Sequence, residues 1–564
     1  MTSLPSREVG APSSTPELTP TPVAEAARGS TRAAGIVGLA VMCSRVLGLA
    51  RDQIFAGIFG AGTGTDAFLT AFRAPNLLRD LFAEGALSTA FVTTFSKKIQ
   101  LEGDRSAWRL ANKMATLTLV VMSVVTLLGI LLAGPLIEVL GGGFHAVPGK
   151  FELTVHLTRI MYPFILLVSL SALVMGMLNA KNVFGAPAMA SSFFNLGSIV
   201  GGVTLAWWMN PHFDPAFEKI SRSLAGMAIG TLIGGFLQFV VQLPSLARAG
   251  YRFAPDFQWK DEGVRTILRL MGPAVVAASA VQVNVMVNAS FASHQGNGAV
   301  TWLNNSFRLM QLPLGVFGVA IATVTLPLVS RSAAVGNTEE FRATLAKALR
   351  LAFFLTIPSA IGLICLGEPI ISLLYQHGRF TIRAAHATAA ALQFYAVGLA
   401  AYSGIKVLAP AFYALDARTT PMTVSFIAIG INFVLNGLFT FALGWGHQGL
   451  ALSTSLTAIA NFTLLYFLMR RRVGDLESRA LLALFGKLAV AGAALAGTCL
   501  FGQWLLLDGF DHFRLVEKIF GLFTVIFVAA GVYFAVCYFL RFEEMQEAVG
   551  LVTRRLRRRP ARGR

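Results

Sequence analysis

Charge is scarce in this chain, and cysteine scarcer still. Asp, Glu, Lys and Arg make up 13% of 564 residues against 55% apolar residues, where a soluble chain carries about 25% charged residues. The loops between the apolar runs are too short for a separate globular domain. The four cysteines, Cys43, Cys365, Cys499 and Cys537, stand singly within apolar runs without metal or redox spacing, which reads as inert, buried thiols. Nothing has the pattern of a P-loop, a metal-ligand cluster or a nucleophile paired with a base. No enzyme, cofactor or metal is therefore expected, and any motion must draw on gradients or on the membrane potential. Histidines such as His145, His294 and His377 fall near the ends of apolar runs, which speaks against an intramembrane histidine relay. No apolar h-region follows Met1, so the first apolar helix itself serves for insertion.

What is abundant is apolar length. Runs of 18 or more apolar residues mark membrane-spanning helices. About fourteen are expected, at 34–60, 66–96, 110–140, 153–179, 186–208, 222–246, 265–292, 300–330, 346–367, 386–414, 421–444, 449–469, 482–506 and 517–540. Residues 1–32, rich in Pro, Ser, Thr, Glu and Ala without apolar periodicity, read as a disordered tail. The net charge of +18 does not imply nucleic acid, because the Lys and Arg lie in short loops where orientation signals lie. One side of the membrane receives Lys97, Lys98, Arg105, Arg109 and Lys113, then Arg248, Arg252 and Lys260, then Arg470, Arg471 and Arg472, and the tail RRLRRRPARGR. The opposite connections hold only Lys150, Lys219, Arg222, Arg379, Arg383, Arg514 and Lys518. Both termini are expected in the cytoplasm.

The chain also repeats itself. Phe72-Arg73 precedes Phe82 by ten residues in span two, and Phe307-Arg308 precedes Phe317 by the same distance in span eight. Tyr162, followed by LNAKNVFGAP, has its counterpart in Tyr395, followed by ALDARTTP, at a similar offset of about 235 residues, or six spans. An even number of spans per repeat gives two halves of like orientation, related by an axis along the membrane normal.

Against this background, Ser44–Ser96 is unusual. It has the apolar content of two spans, yet carries Arg45, Arg51, Asp52, Asp66, Arg73, Arg79, Asp80 and Glu84. A charge at the bilayer centre costs roughly 2.5–3.5 kcal/mol, so such residues face a protein interior or a wet cavity. Helical phase places Arg45 and Asp52 on one face, able to neutralise each other, with Arg51 turned away. A bend at Gly48 is needed to aim both arginines at one pocket. In span two, Arg73, Asp80 and Glu84 share a face, and Arg79 joins them only if Pro75 kinks the helix. With Arg308 in span eight, guanidinium groups outnumber carboxylates. Arg presents a planar fork matched to phosphate oxygens, so a phosphorylated, anionic substrate held between the two repeats is expected. Asp66, at the end of its span, reads as a gate or cap. Gln282, Asn284, Asn288, Asn304 and Asn305 either line a cavity or bond between helices; Asn432 and Asn436 read as a structural pair, and Lys406 as a snorkelling or capping lysine.

The blocks SRVLGLARD (Ser44–Asp52), TDAFLTAFRAPNLLRDLFAEGALSTAFV (Thr65–Val92) and RLMQLPLGVFGVA (Arg308–Ala320) closely resemble the MurJ/MviN family of bacterial lipid II flippases, as do Tyr162–Phe164 and VLAPAFYALDARTTP ending at Pro421. The resemblance spans all fourteen segments and leaves out the N-terminal tail. It implies an all-α polytopic fold of the multidrug/oligosaccharidyl-lipid/polysaccharide exporter type, with two six-helix lobes related by a pseudo-two-fold axis and two added C-terminal helices. The boundaries expected are 1–32 for the tail, 33–246 and 247–470 for the lobes, 471–541 for the helices forming a lipid-tail groove, and 542–564 for a basic cytoplasmic tail. It further implies a transporter for peptidoglycan biosynthesis in the inner membrane, moving undecaprenyl-pyrophosphate-linked precursor to the outer leaflet by alternating access. Arg45, Arg51, Arg79 and Arg308 match the arginines the family requires, with Arg73 beside them, and Asp52, Asp66 and Glu84 match gating or ion-pair positions. The partners implied are lipid II, bilayer lipids and the cell-wall synthesis machinery, with no nucleic acid.

The sequence departs from some relatives at Phe307 and Gln311, where they carry acidic residues, and at Asn436, where some carry a sodium-binding aspartate. The first departure makes the cavity more cationic, and the second argues against sodium coupling. A flippase for O-antigen or capsule precursors would use the same charges. A cation-coupled multidrug exporter would want carboxylates in their place.

Overall fold

The computed structural model describes residues 22–80, 88–510 and 513–546, and these are helical with no strand among them. Ten helices are long and apolar enough to cross a membrane, and the pair Ile382–Val397 and Leu399–Ala414, bent by 44°, makes eleven. The remaining helical passages are Pro22–Phe59, then Thr63–Arg79 and Ser88–Glu102, then Glu262–Ser293. Together they are compatible with the fourteen spans read from the sequence, in the same order. The long helices turn large apolar side chains outward, among them Leu131, Trp208, Phe467, Phe527 and Phe539. That is the surface a bilayer solvates. Cys499 and Cys537 are buried as expected, whereas Cys365 is half-buried and Cys43 exposed.

Small residues set the tightest packing. The fifth-span helix Gly185–Met209 and the sixth-span helix Phe217–Val240 meet along Gly197, Gly201 and Gly202 against Gly226, Gly230 and Gly234. A methyl group on Gly230 would stand 2.2 Å from the Gly202 Cα. Without a hydrophobic drive between helices in lipid, close backbone approach of this kind supplies the association energy.

The repeat offset reappears as paired contacts. The last turn of Pro22–Phe59 packs on the loop after the ninth span, where the Arg379 amide donates to the Gly57 carbonyl at 2.8 Å. The last turn of Glu262–Ser293 packs in the same way on the loop after the third, where the Gly143 amide donates to the Ser293 hydroxyl at 3.1 Å. Gly60 has a positive φ of 68°, and a Cβ there would lie 2.5 Å from the Arg379 carbonyl oxygen, so the turn after span one admits only glycine. Each half thus lends its first helix to the other at this end of the molecule, the end holding the 1–2, 3–4, 7–8 and 9–10 connections.

The Gly230 contact is directly testable. Gly230→Val should lower stability by about 1–3 kcal/mol through overpacking, read as a lower unfolding midpoint of the detergent-solubilised protein. An unchanged midpoint would contradict the close approach.

Candidate functional site

The charged residues of spans one, two and eight occupy three connected places. At the end just described, Asp66 and Lys150 are both buried, with 0% and 1% of their surfaces exposed. Lys150 Nζ lies 2.8 Å from Asp66 Oδ2, donates to Asn297 Oδ1 at 3.1 Å and sits 4.3 Å from the Phe144 ring centre. The same carboxylate accepts from the amides of Gly298 (2.7 Å) and Thr301 (2.9 Å) and from the Thr301 hydroxyl (2.6 Å). These amides open the eighth-span helix Ala299–Pro313, and the N-terminal groups of a helix lack intrahelical partners and favour an anion. Asp66 is therefore a cap supplied across the chain, and it joins spans two, four and eight. Lys150, read from sequence as a loop residue, belongs to this buried lock. It escaped notice because it stands just before the apolar run of span four, where a lysine reads as an interfacial anchor.

Further in lies a chamber of about 280 Å³ lined by Arg51, Asp52, Asn76, Asn304, Asn305 and Arg308, with Phe55, Phe68, Phe72 and Phe307 as its apolar wall. Asp52 holds two guanidinium groups. Arg51 Nη2 lies 3.2 Å from its Oδ1, and Arg308 pairs with its Oδ2 from the other half of the chain. Arg51 also sits 5.6 Å from the Phe194 ring centre, a cation–π contact. Arg79 pairs with Asp80 at 2.9 Å and is close enough to Arg51 for the two charges to act on each other.

Several expectations from helical phase fail here. Arg45 does not neutralise Asp52, because Arg51 and Arg308 already occupy that carboxylate. Its guanidinium instead reaches the eighth span, where a Cβ on Gly315 would stand 3.8 Å from its Nη1. The helix Pro22–Phe59 runs uninterrupted through Gly48. Asn195 packs beside Gly48, and its side-chain amide donates to the Ser44 carbonyl at 3.0 Å. Arg45 and Arg51 thus act at different heights and need no shared aim. Glu84 lies outside the described residues.

Arg73 does not join the first chamber. It lines a second one of about 410 Å³, together with Asn284, Asn288, Tyr395, Tyr402 and Lys406. Lys406, read from sequence as snorkelling, faces this chamber from the middle of Leu399–Ala414. Asn432 and Asn436 form the expected structural pair. Asn436 donates to Asn288 Oδ1 at 2.8 Å and to Asn432 Oδ1 at 3.0 Å, and Asn432 reaches Ser453 at 3.3 Å.

An inner chamber carrying Arg51 and Arg308 around one carboxylate, in a helical membrane protein, narrows the field of relatives. The sequence model of the family described as lipid II flippase MurJ matches residues 55–521. The chain belongs to this family. It is 36% identical over 473 residues to the MurJ relative of Vibrio cholerae, covering 82% of this chain and 87% of that one. It is 36% identical over 461 residues to the lipid II flippase MurJ of Burkholderia cenocepacia, covering 81% and 87%. Among solved structures, lipid II flippase MurJ in an inward closed conformation superposes with a TM-score of 0.70 at 25% identity, over 90% of this chain and 98% of that one. An inward-facing multidrug resistance MATE family transporter of the MOP superfamily matches with a TM-score of 0.63 at 15% identity, over 77% and 96%, which shows a shared fold. The all-α polytopic fold read from the sequence is the family's fold, and members of this family are transporters, not enzymes.

The lock predicts its own failure. Asp66→Asn leaves Lys150 buried without its counter-charge, and breaking a buried pair costs about 3–5 kcal/mol. Spin labels placed across the 1–2 and 7–8 connections should report a shift toward longer distances in this variant. An unchanged distance distribution would show that the pair does not hold this end shut.

Proposed function

We propose that the protein carries lipid II from the cytoplasmic to the outer leaflet of the bacterial inner membrane by alternating access. The observation that carries this reading is the Arg51–Asp52–Arg308 ion triad in the inner chamber of a MurJ family member. Asp52 bridges arginines from both halves, which offsets part of the cost of holding them in a membrane. A pyrophosphate offers each guanidinium fork more oxygens than one carboxylate does. It therefore displaces Asp52 and draws Arg51, Arg308 and the nearby Arg79 onto itself, with Arg45 at the entrance.

Residues 33–246 and 247–470 act as two lobes that rock about this site. Loop charge bias puts the basic connections and both termini in the cytoplasm, so the Asp66–Lys150 lock lies on the outer side and keeps that side shut while the substrate loads. Opening there exchanges the lock for solvent and releases the head group. The lipid tail stays in the bilayer, along an apolar groove of about 420 Å³ between spans eight, nine, thirteen and fourteen, lined by Phe317, Pro358, Leu495, Ala529 and Tyr533. An inside-negative potential, worth about 2.3 kcal/mol per charge per 100 mV, favours outward travel of the anionic substrate and inward return of the empty cationic chamber.

Arg51→Ala and Arg308→Ala should each fail to support growth of a strain depleted of its own flippase, while Arg308→Lys, which keeps charge without the fork, should support it partially. Full lipid II translocation by well-expressed alanine variants would overturn the site.

A further inference from the structure

The second chamber has a chemistry of its own. Two cations line it, Arg73 and Lys406, alongside four amides, Asn284, Asn288, Asn304 and Gln311. No carboxylate lines it, and among the described residues neither cation has an ion-pair partner. Two uncompensated charges at this depth each cost roughly 2.5–3.5 kcal/mol unless water or an anion meets them. Asn284 Oδ1 is buried with no hydrogen-bond partner. Asn288 spends its Oδ1 on Asn436 at 2.8 Å, which leaves its amide hydrogens to donate. The wall between these groups is aliphatic, with Val285 and Leu303 among it.

This lining differs from the first chamber in kind. A pyrophosphate suits clustered guanidinium forks, which the first chamber has and the second lacks. Amides alternating with aliphatic carbon, and one Arg and one Lys set apart, suit a short peptide with small side chains and free carboxylates. Its backbone amides find donors and acceptors, and each carboxylate finds a cation. The two chambers share Asn304, Phe307 and Gln311 as their dividing wall, so one head group can reach into both.

The geometry points to the second chamber as the subsite for the carboxylate-bearing peptide of the substrate, held by Arg73 and Lys406 while the first chamber holds the pyrophosphate. This rests on the flippase reading given above. Arg73 comes from the first half of the chain and Lys406 from the second, so the peptide is gripped by both halves, as the pyrophosphate is.

The test measures binding to the purified full-length protein in nanodiscs with three ligands: lipid II, lipid II with its peptide carboxylates amidated, and the undecaprenyl-pyrophosphoryl disaccharide without peptide. Lys406→Met and Arg73→Gln should each weaken lipid II binding by about tenfold, the effect of losing one charge-assisted bond. Both should leave the peptide-free ligand within about twofold of wild type. Amidated lipid II should bind wild type at least as weakly as lipid II binds either variant. Equal weakening of lipid II and the peptide-free ligand would overturn the proposal, as would undiminished binding of amidated lipid II. Should Arg73→Gln unfold, Lys406→Met carries the test alone, because Lys406 stands exposed to the chamber. Failure of the flippase reading itself looks different: wild type would bind neither lipid II nor the peptide-free ligand.

Discussion

A charge inside a bilayer must be met, and the arrangement of this protein follows from how each one is met. Asp52 is the pivotal case. One carboxylate, on a helix of the first half, holds Arg51 beside it and Arg308 from the second half. Neither arginine is cheap to place in a membrane alone, and a single Asp cannot neutralise both. The chamber therefore keeps a net positive charge that a multivalent anion can satisfy better than the protein satisfies itself. Under the proposed function, affinity for a pyrophosphate follows from this electrostatic imbalance. The pairing also crosses between the halves, so binding and relative movement of the halves are coupled through the same bonds.

At the closed end the opposite choice is made. Asp66 is fully satisfied by Lys150, two helix-opening amides and a hydroxyl, with no open position for a ligand. In the proposed cycle its role is mechanical. The contact between Asp66 and Thr301 joins residues 235 apart, the repeat offset, so it lies where the two halves meet as near-equivalents. A duplicated chain can build such a lock economically, because both helix starts approach one axis. Only one of them needs the carboxylate, and the other supplies the amides.

Much of this was legible in the sequence. Apolar run length gave the spans because membrane thickness fixes helix length. Arginines inside apolar runs stood out because burial makes them costly, and Arg51, Arg73 and Arg308 do line chambers between the helices; the repeat was visible as recurring Phe-Arg and Tyr-to-Pro spacings. The misses have physical reasons. Helical phase ranks residues on one helix but says nothing about a neighbour, so it paired Arg45 with Asp52 when Arg308 was the nearer cation. It set Arg73 with the other charges of one site, whereas Arg73 turns into a separate chamber. Lys150 and Lys406 were discounted because a lysine near a span end or alone in a span has an ordinary explanation, and only tertiary packing shows that one is buried in an ion pair and the other faces a chamber. Gly48 was read as a bend, whereas the helix Pro22–Phe59 runs through it without a break.

The proposed function requires that the excess of arginine over carboxylate select a pyrophosphate-linked head group over other lipid-linked sugars. Native mass spectrometry of the purified protein, presented with lipid II and an undecaprenyl monophosphate-linked sugar in competition, measures that preference directly. The account predicts that lipid II is retained preferentially and that the preference is lost in Arg308→Ala. Equal retention of both lipids by the wild-type protein would contradict it.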